Sequence, residues 1–94
     1  MTVQQILNEY ETRYNNPCYR RADGSWMDDG NANQWNMLTA ALKLSPEAQA
    51  EFVQGWNGNI EFSMDGQFYI GSAKNKFPHL IAEAPAAGIE IISR

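Results

Sequence analysis

Apolar residues at the start of the chain recur at helical spacing. Val3, Ile6, Leu7, Tyr10 and Tyr14 share one face, with Gln, Asn, Glu and Arg between them. That period predicts a first helix. Thr2 is placed to cap it. Asn15-Asn16-Pro17 ends it, because the residue before a proline avoids the α region. A second helical stretch runs from about Ala32 to Leu44. Trp35, Leu38 and Leu42 form its stripe, and Met37, Ala41 and Leu44 widen it. An apolar face this wide predicts a largely buried helix. Asn31, or Asp29 just before it, can cap its start. Ser45-Pro46-Glu47 then opens a third helix. Serine caps, proline takes the first helical position, and glutamate favours the positive end of the dipole. Ala48, Phe52, Val53 and Trp56 give its buried side, and Gly55 with Asn57-Gly58-Asn59 ends it.

Two segments carry turn signals instead. In "CYRRADGSWMDDG", Asp23-Gly24 marks a turn. A three-residue loop of Ala22, Asp23 and Gly24 would set Arg20 opposite Trp26 and permit a cation–π contact. An ordered loop is the competing reading. "NIEFSMDGQFYIG" reads as a second hairpin. With Met64-Asp65-Gly66 as its loop, Phe62 faces Phe68 and Ile60 faces Ile70, and Glu61, Ser63, Gln67 and Tyr69 fall on the other side. A one-residue slip would scatter that pattern across both faces, so the hydrophobic pattern selects this register. Pro78 opens a short helix through Ala84, with Leu80 and Ile81 inward, and Ala84-Pro85-Ala86-Ala87-Gly88 breaks it. Ile89 onward is β-branched and predicts a last strand. The expected fold is α+β: a small, mainly antiparallel sheet, made of the hairpin plus the C-terminal strand, packed against three to four helices.

Length and composition narrow the class. Ninety-four residues, 44% of them hydrophobic, suit one domain with one modest core across residues 1–94. The N-terminal MTVQQILNEY lacks a basic region and a long apolar run, so neither a signal peptide nor a membrane span is expected. A single cysteine, Cys18, has no internal partner, which fits a reducing, cytoplasmic setting.

The net charge of −4 is unevenly spread. Between residues 22 and 73, Asp23, Asp28, Asp29, Glu47, Glu51, Glu61 and Asp65 are opposed by Lys43 alone. Such a middle argues against direct contact with a phosphate backbone, which needs clustered Lys and Arg. It suits a partner protein with a basic surface, or serves solubility alone.

Candidate chemistry is sparse. "DDGNAN" invites calcium, but an EF-hand loop started at Asp29 meets Gln34 where glycine belongs and Ala40 where glutamate belongs. Started at Ser25, it puts Met27 and Asn36 at ligand positions. One Cys and one His do not make a zinc site. A Cys18–His79 nucleophile pair lacks a recognisable orienting group and oxyanion hole. "GQFYIGS" has no phosphate-loop lysine. Asp28 and Asp29 could do acid–base work only in a cleft that raises a carboxyl pKa.

The aromatics say more. Trp26, Trp35 and Trp56 all lie in the acidic middle, and tryptophan is enriched in binding hot spots. Trp35 and Trp56 fall on helix faces that need a core, whereas Trp26 has no periodic reason to be inside. The expected contact surface is therefore Trp26, Met27, Asp28 and Asp29, with Tyr69 as a second candidate on the face opposite the core.

The function expected is a non-enzymatic protein-interaction module without cofactor or metal. Its sharper form is an inhibitor of a host nucleic-acid-handling, nucleoprotein complex that binds neither nucleic acid nor membrane directly. In size and charge the chain is similar, at class level, to small acidic phage proteins that block host defence, anti-CRISPR proteins among them. The alternatives are a small-molecule-binding or sequestering oligomer with a pocket lined by Trp26, Tyr19 or Tyr69, a structural assembly subunit, and a small enzyme using Cys18, His79 or the acids.

Overall fold

Helix α1 spans Val3–Tyr14 and opens with a capping box. The Gln5 backbone N–H donates to Thr2 Oγ1 at 3.1 Å, and the Thr2 N–H donates to the Gln5 side chain at 2.8 Å. Both groups would otherwise be orphaned helix donors. Val3, Ile6, Leu7 and Tyr10 are buried along its predicted face. The chain then turns through Asn16, Pro17 and Cys18 and makes an antiparallel bridge between Arg20 and Trp26. Gly24 sits at φ +87° in that turn, a conformation that favours glycine.

Helix α2 spans Asp29–Ala41 and begins three residues earlier than its apolar stripe suggested. Its cap is Asp28, whose carboxylate accepts the Asn31 N–H at 2.8 Å. Neither Asn31 nor Asp29 caps it. Leu42 closes the helix and is exposed, so it leaves the stripe to which its spacing assigned it. Helix α3 spans Pro46–Asn57, with Gly55 inside it. The Ala48 N–H donates to Ser45 Oγ at 3.2 Å, the expected serine cap.

The computed structural model describes residues 1–57, 67–71 and 74–93. The first strand of the expected second hairpin and its loop, residues 60–66, lie outside that set. Strand β1 spans Gln67–Gly71, a 3-10 turn spans Lys74–Lys76, helix α4 spans Pro78–Ala87, and strand β2 spans Glu90–Ser93.

The antiparallel expectation is overturned. Among the described residues the fold is four helices and one short sheet, in which β2 pairs with β1 in parallel. Phe68 aligns with Ile91 and Tyr69 with Ile92, with an irregularity between Tyr69 and Gly71. The cause is the connection. A tight turn reverses a strand, but a helix carries the chain back to where the first strand began, so the next strand runs the same way. Ten helical residues return the chain by about 15 Å.

Helix α4 also outlasts its predicted end. Pro85 lies inside it, and it stops only at Gly88, φ +83°. There the Ile89 N–H bonds back to the Ala84 carbonyl at 2.9 Å. A proline removes one helical hydrogen bond but does not end a helix whose packed face continues. Leu80 and Ala84 are buried ahead of Pro85, and Ala87 packs against the core beyond it.

One core joins these elements. Phe52, Phe68, Leu38, Leu80 and Val3 are fully enclosed, and the rings of Phe52 and Phe68 lie 5.1 Å apart. Phe68 and Ile70 point inward while Gln67 and Tyr69 are half-buried. That period of two places Tyr69 on the face opposite the core, as expected.

Two long-range contacts lock α3 to α4, and each serves a helix start. Glu51 of α3 accepts the Leu80 N–H at 3.0 Å and the His79 N–H at 3.3 Å, the orphan donors of α4. Glu83 of α4 accepts the Ser45 N–H at 2.8 Å and its hydroxyl at 2.5 Å, beside the start of α3. Each helix supplies a carboxylate to the start of the other, where the dipole favours negative charge.

Candidate functional site

The four candidate residues Trp26–Asp29 occupy the connection between α1 and α2. Trp26 is half-buried and packs against the core. Its ring meets Tyr10 edge-on, centroids 5.8 Å apart. The Arg20 guanidinium lies over the Trp26 ring, 3.9 Å from its centre, and 5.8 Å from the centre of Trp35. Arg20 Nη1 donates to the Gly24 carbonyl at 3.3 Å. Its Nε and Nη2 are buried without an oxygen acceptor among the described residues. The two indole faces stand in for that acceptor. The predicted register of this hairpin, with Arg20 facing Trp26, is therefore present, but it makes Trp26 a clamp for an internal cation.

Asp28 is equally committed. Beyond capping α2, its second oxygen accepts the Asn31 side-chain amide at 2.9 Å. Asn31, a buried polar residue, accepts the Tyr10 hydroxyl at 2.7 Å. The chain Asp28–Asn31–Tyr10 thus ties the turn to α1. Burial above all, with Tyr14 and Asp28 adding and Arg20 opposing, pushes the Tyr10 phenol up to about 12.

Met27 and Asp29 have no such duty. Met27 is 51% exposed, and Asp29 is exposed in the first turn of α2. Their backbone is nevertheless held. The Met27 N–H donates to the Tyr19 carbonyl at 2.8 Å, and Arg21 Nη1 donates to the Trp26 carbonyl at 2.6 Å. Across the hairpin, Asp23 accepts both the hydroxyl and the N–H of Ser25, which hold its carboxyl below the usual range. Tyr69 belongs to β1, and its hydroxyl donates to Gln67 Oε1 at 3.0 Å.

Trp35 and Trp56 are half-buried against the core. Trp35 Nε1 donates to Glu11 at 2.9 Å, and Trp56 stacks on Phe52 with centroids 5.9 Å apart. A cleft of about 560 Å³ runs along α1, walled by Tyr10, Tyr14 and Trp56 with Glu9, Arg13 and Gln34 at its polar rim. Its aromatic walls differ from the Trp26, Tyr19 and Tyr69 set expected for a small ligand, because Arg20 covers the Trp26 face.

Cys18 is exposed, and its N–H donates to the Asn16 side chain. His79 Nδ1 lies 2.6 Å from Glu51, so the ring is oriented by that carboxylate. Among the described residues no three Cys, His, Asp or Glu side chains cluster in a way that could hold a metal ion. No helix among them is long and apolar enough to cross a membrane.

The sequence reading missed Glu51, Glu83, Ser45 and His79 as a paired unit. Their partners lie 28 to 38 residues away, beyond any local pattern. Comparison of the chain with known protein families, with curated proteins and with solved structures finds no match.

Proposed function

We propose that the protein is a non-enzymatic interaction module whose partner contact is the turn from Trp26 to Asp29. The observation that carries this reading is the contrast within the turn. Trp26 packs against the core and both carboxylate oxygens of Asp28 are taken by Asn31, while the side chains of Met27 and Asp29 are exposed on a backbone pinned from two sides. A backbone already held in place loses little entropy on binding, which leaves only the side chain to be ordered. An adjacent acid suits a partner with a basic surface and steers its approach. The sharper form is an inhibitor that occupies such a surface on a nucleic-acid-handling complex, in the manner of small acidic phage proteins that block host defence. Tyr69 belongs to a different element and is not needed for this contact.

The test is affinity capture from a native lysate with wild-type protein and three variants. Met27→Asp should abolish or weaken capture at unchanged melting temperature, and Asp29→Lys should weaken it with a fall of only a few degrees. Asp28→Asn, which can still cap the helix, should retain most of it. Capture unaffected by both Met27→Asp and Asp29→Lys would remove the turn as the contact. A second reading, a small ligand in the α1 cleft, is favoured by that cleft's size and aromatic walls. It predicts a ligand-induced rise in melting temperature that Tyr14→Ala removes.

A further inference from the structure

The described methionines stand in unlike surroundings. Met37 is enclosed in the core, 3% exposed, whereas Met27 is 51% exposed at the turn before α2. Met1 is exposed too, but it lies beside Pro46, Gln49 and Val53 of α3, away from the turn residues. An oxidant must reach the sulfur lone pair to react, so enclosure protects Met37 and leaves Met27 open. The Met27 backbone is meanwhile fixed, by its own N–H on the Tyr19 carbonyl and by Arg21 on the preceding carbonyl. Neither bond uses the Met27 side chain.

We propose that Met27 is a redox-sensitive modification site: oxidation to its sulfoxide by hydrogen peroxide releases the partner, and reduction restores the contact. This rests on the turn being the partner contact. In the oxidation, a sulfur lone pair attacks one peroxide oxygen, an S–O bond forms and the O–O bond breaks. The proton on the transferred oxygen passes to the departing hydroxide, which leaves as water. Sulfur loses two electrons and the peroxide gains them. In the return step a dithiol is oxidised to a disulfide and the sulfoxide oxygen leaves as water. The oxidised side chain carries a polar S–O group in place of a soft apolar sulfur. Pressed against a partner, that oxygen loses its water, and a polar group desolvated without a donor is costly. In the free protein the same oxygen stays in water, because the side chain is exposed. The change therefore falls on binding and spares the fold. Oxidation of Met37 would do the reverse, placing a polar oxygen in the core.

The experiment uses the full chain with Cys18→Ser, so that the exposed thiol consumes no oxidant. The protein is treated with hydrogen peroxide, and each methionine is followed by peptide mass mapping. Melting temperature and capture of the partner from native lysate are measured before oxidation, after it, and after treatment with both methionine sulfoxide reductases and a dithiol. The Met27 sulfoxide should form at least about tenfold faster than that of Met37. Melting temperature should not change. Capture should weaken at least about tenfold and return on reduction. In Met27→Leu, peroxide should remove none of the capture that variant retains. Equal oxidation of Met27 and Met37, a lower melting temperature with the Met27 sulfoxide, or capture that survives it overturns the proposal. So does a loss that the reductases do not reverse, or an equal peroxide-dependent loss in Met27→Leu. If Met27→Leu captures nothing, reversal by the reductases decides. Failure of the underlying reading looks different: Met27→Asp then leaves capture intact without any oxidant. A chain that captures no partner before oxidation overturns both.

Discussion

The Arg20 guanidinium carbon lies 3.9 Å from the centre of the Trp26 ring. The hairpin that brings them together has one antiparallel bridge, too little backbone pairing to be stable alone. Its order comes from this stacked pair and from the core beneath it. Replacing Arg20 with Ala should therefore cost about 1–2 kcal/mol, the range of a desolvated cation–π contact. Each kcal/mol lowers the melting temperature of a domain this size by about 4–8 °C. Arg20→Lys should recover only part of the loss, because an ammonium does not stack as a plane. Thermal unfolding followed by far-UV circular dichroism reads both.

Neighbouring acids should separate cleanly. Asp28→Ala removes the cap of α2 and an acceptor for Asn31, at a cost of about 1–2 kcal/mol. Asp29→Ala removes only a favourable charge in the first helical turn, worth about 0.5 kcal/mol. Urea unfolding midpoints check the order. Equal losses would mean that Asp28 is not the cap.

The alkaline limb of stability should depend on Tyr10. Its phenol is raised to about 12 in the folded chain, against about 10 when unfolded. A raised value means the contribution is whole below pH 10 and is lost as pH climbs toward 12. Spectrophotometric titration at the tyrosinate band should find one of the four tyrosines ionising late. Tyr10→Phe should abolish that late step. It also strips Asn31 of its hydroxyl donor, which costs about 1–3 kcal/mol for a buried acceptor left unpaired.

The acid limb should depend on Glu83. The Ser45 hydroxyl and then its N–H hold this carboxyl below its usual value, with His79 assisting. A lowered value means its contribution is present above the unfolded pKa of 4.5 and is lost as pH falls through the folded one. Glu83→Gln should flatten the fall in urea midpoint below pH 4.5. Some slope should persist, because Asp23 is lowered in the same direction by Ser25.

Helix α4 carries its own penalty. Pro85 provides no N–H to the Ile81 carbonyl one turn back, and it is exposed. Pro85→Ala should raise stability by about 1–3 kcal/mol in the isolated chain, measured by the same urea midpoints. No gain would mean that the fixed backbone of proline restrains the unfolded chain enough to offset the lost bond.

Much of this protein was set by short-range physics and could be read without a structure. Helix α1, its threonine cap, the serine cap and first-position proline of α3, and the turn that faces Arg20 with Trp26 all follow from residues within a few positions of each other. So does the alternation that turns Tyr69 away from Phe68 and Ile70. Local signals failed where a distant partner decided. Local pattern pointed to Asn31 or Asp29 as the cap of α2 and passed over Asp28, whose role depends on the link through Asn31 to Tyr10, 21 residues earlier. The exchange of carboxylates between α3 and α4 spans still longer separations. Strand direction was also tertiary. The β-branched run after Ile89 announced a strand, but pairing in parallel with β1 required α4 to pack across the core and return the chain. The proposed contact surface divides the same way. The sequence singled out Trp26 to Asp29 as a group, and only tertiary contacts separated Trp26 and Asp28, whose side chains are engaged by the rest of the fold, from Met27 and Asp29, whose side chains stay exposed. A residue type and its neighbours determine what a side chain can do, and burial beside distant residues determines which of those uses it is put to.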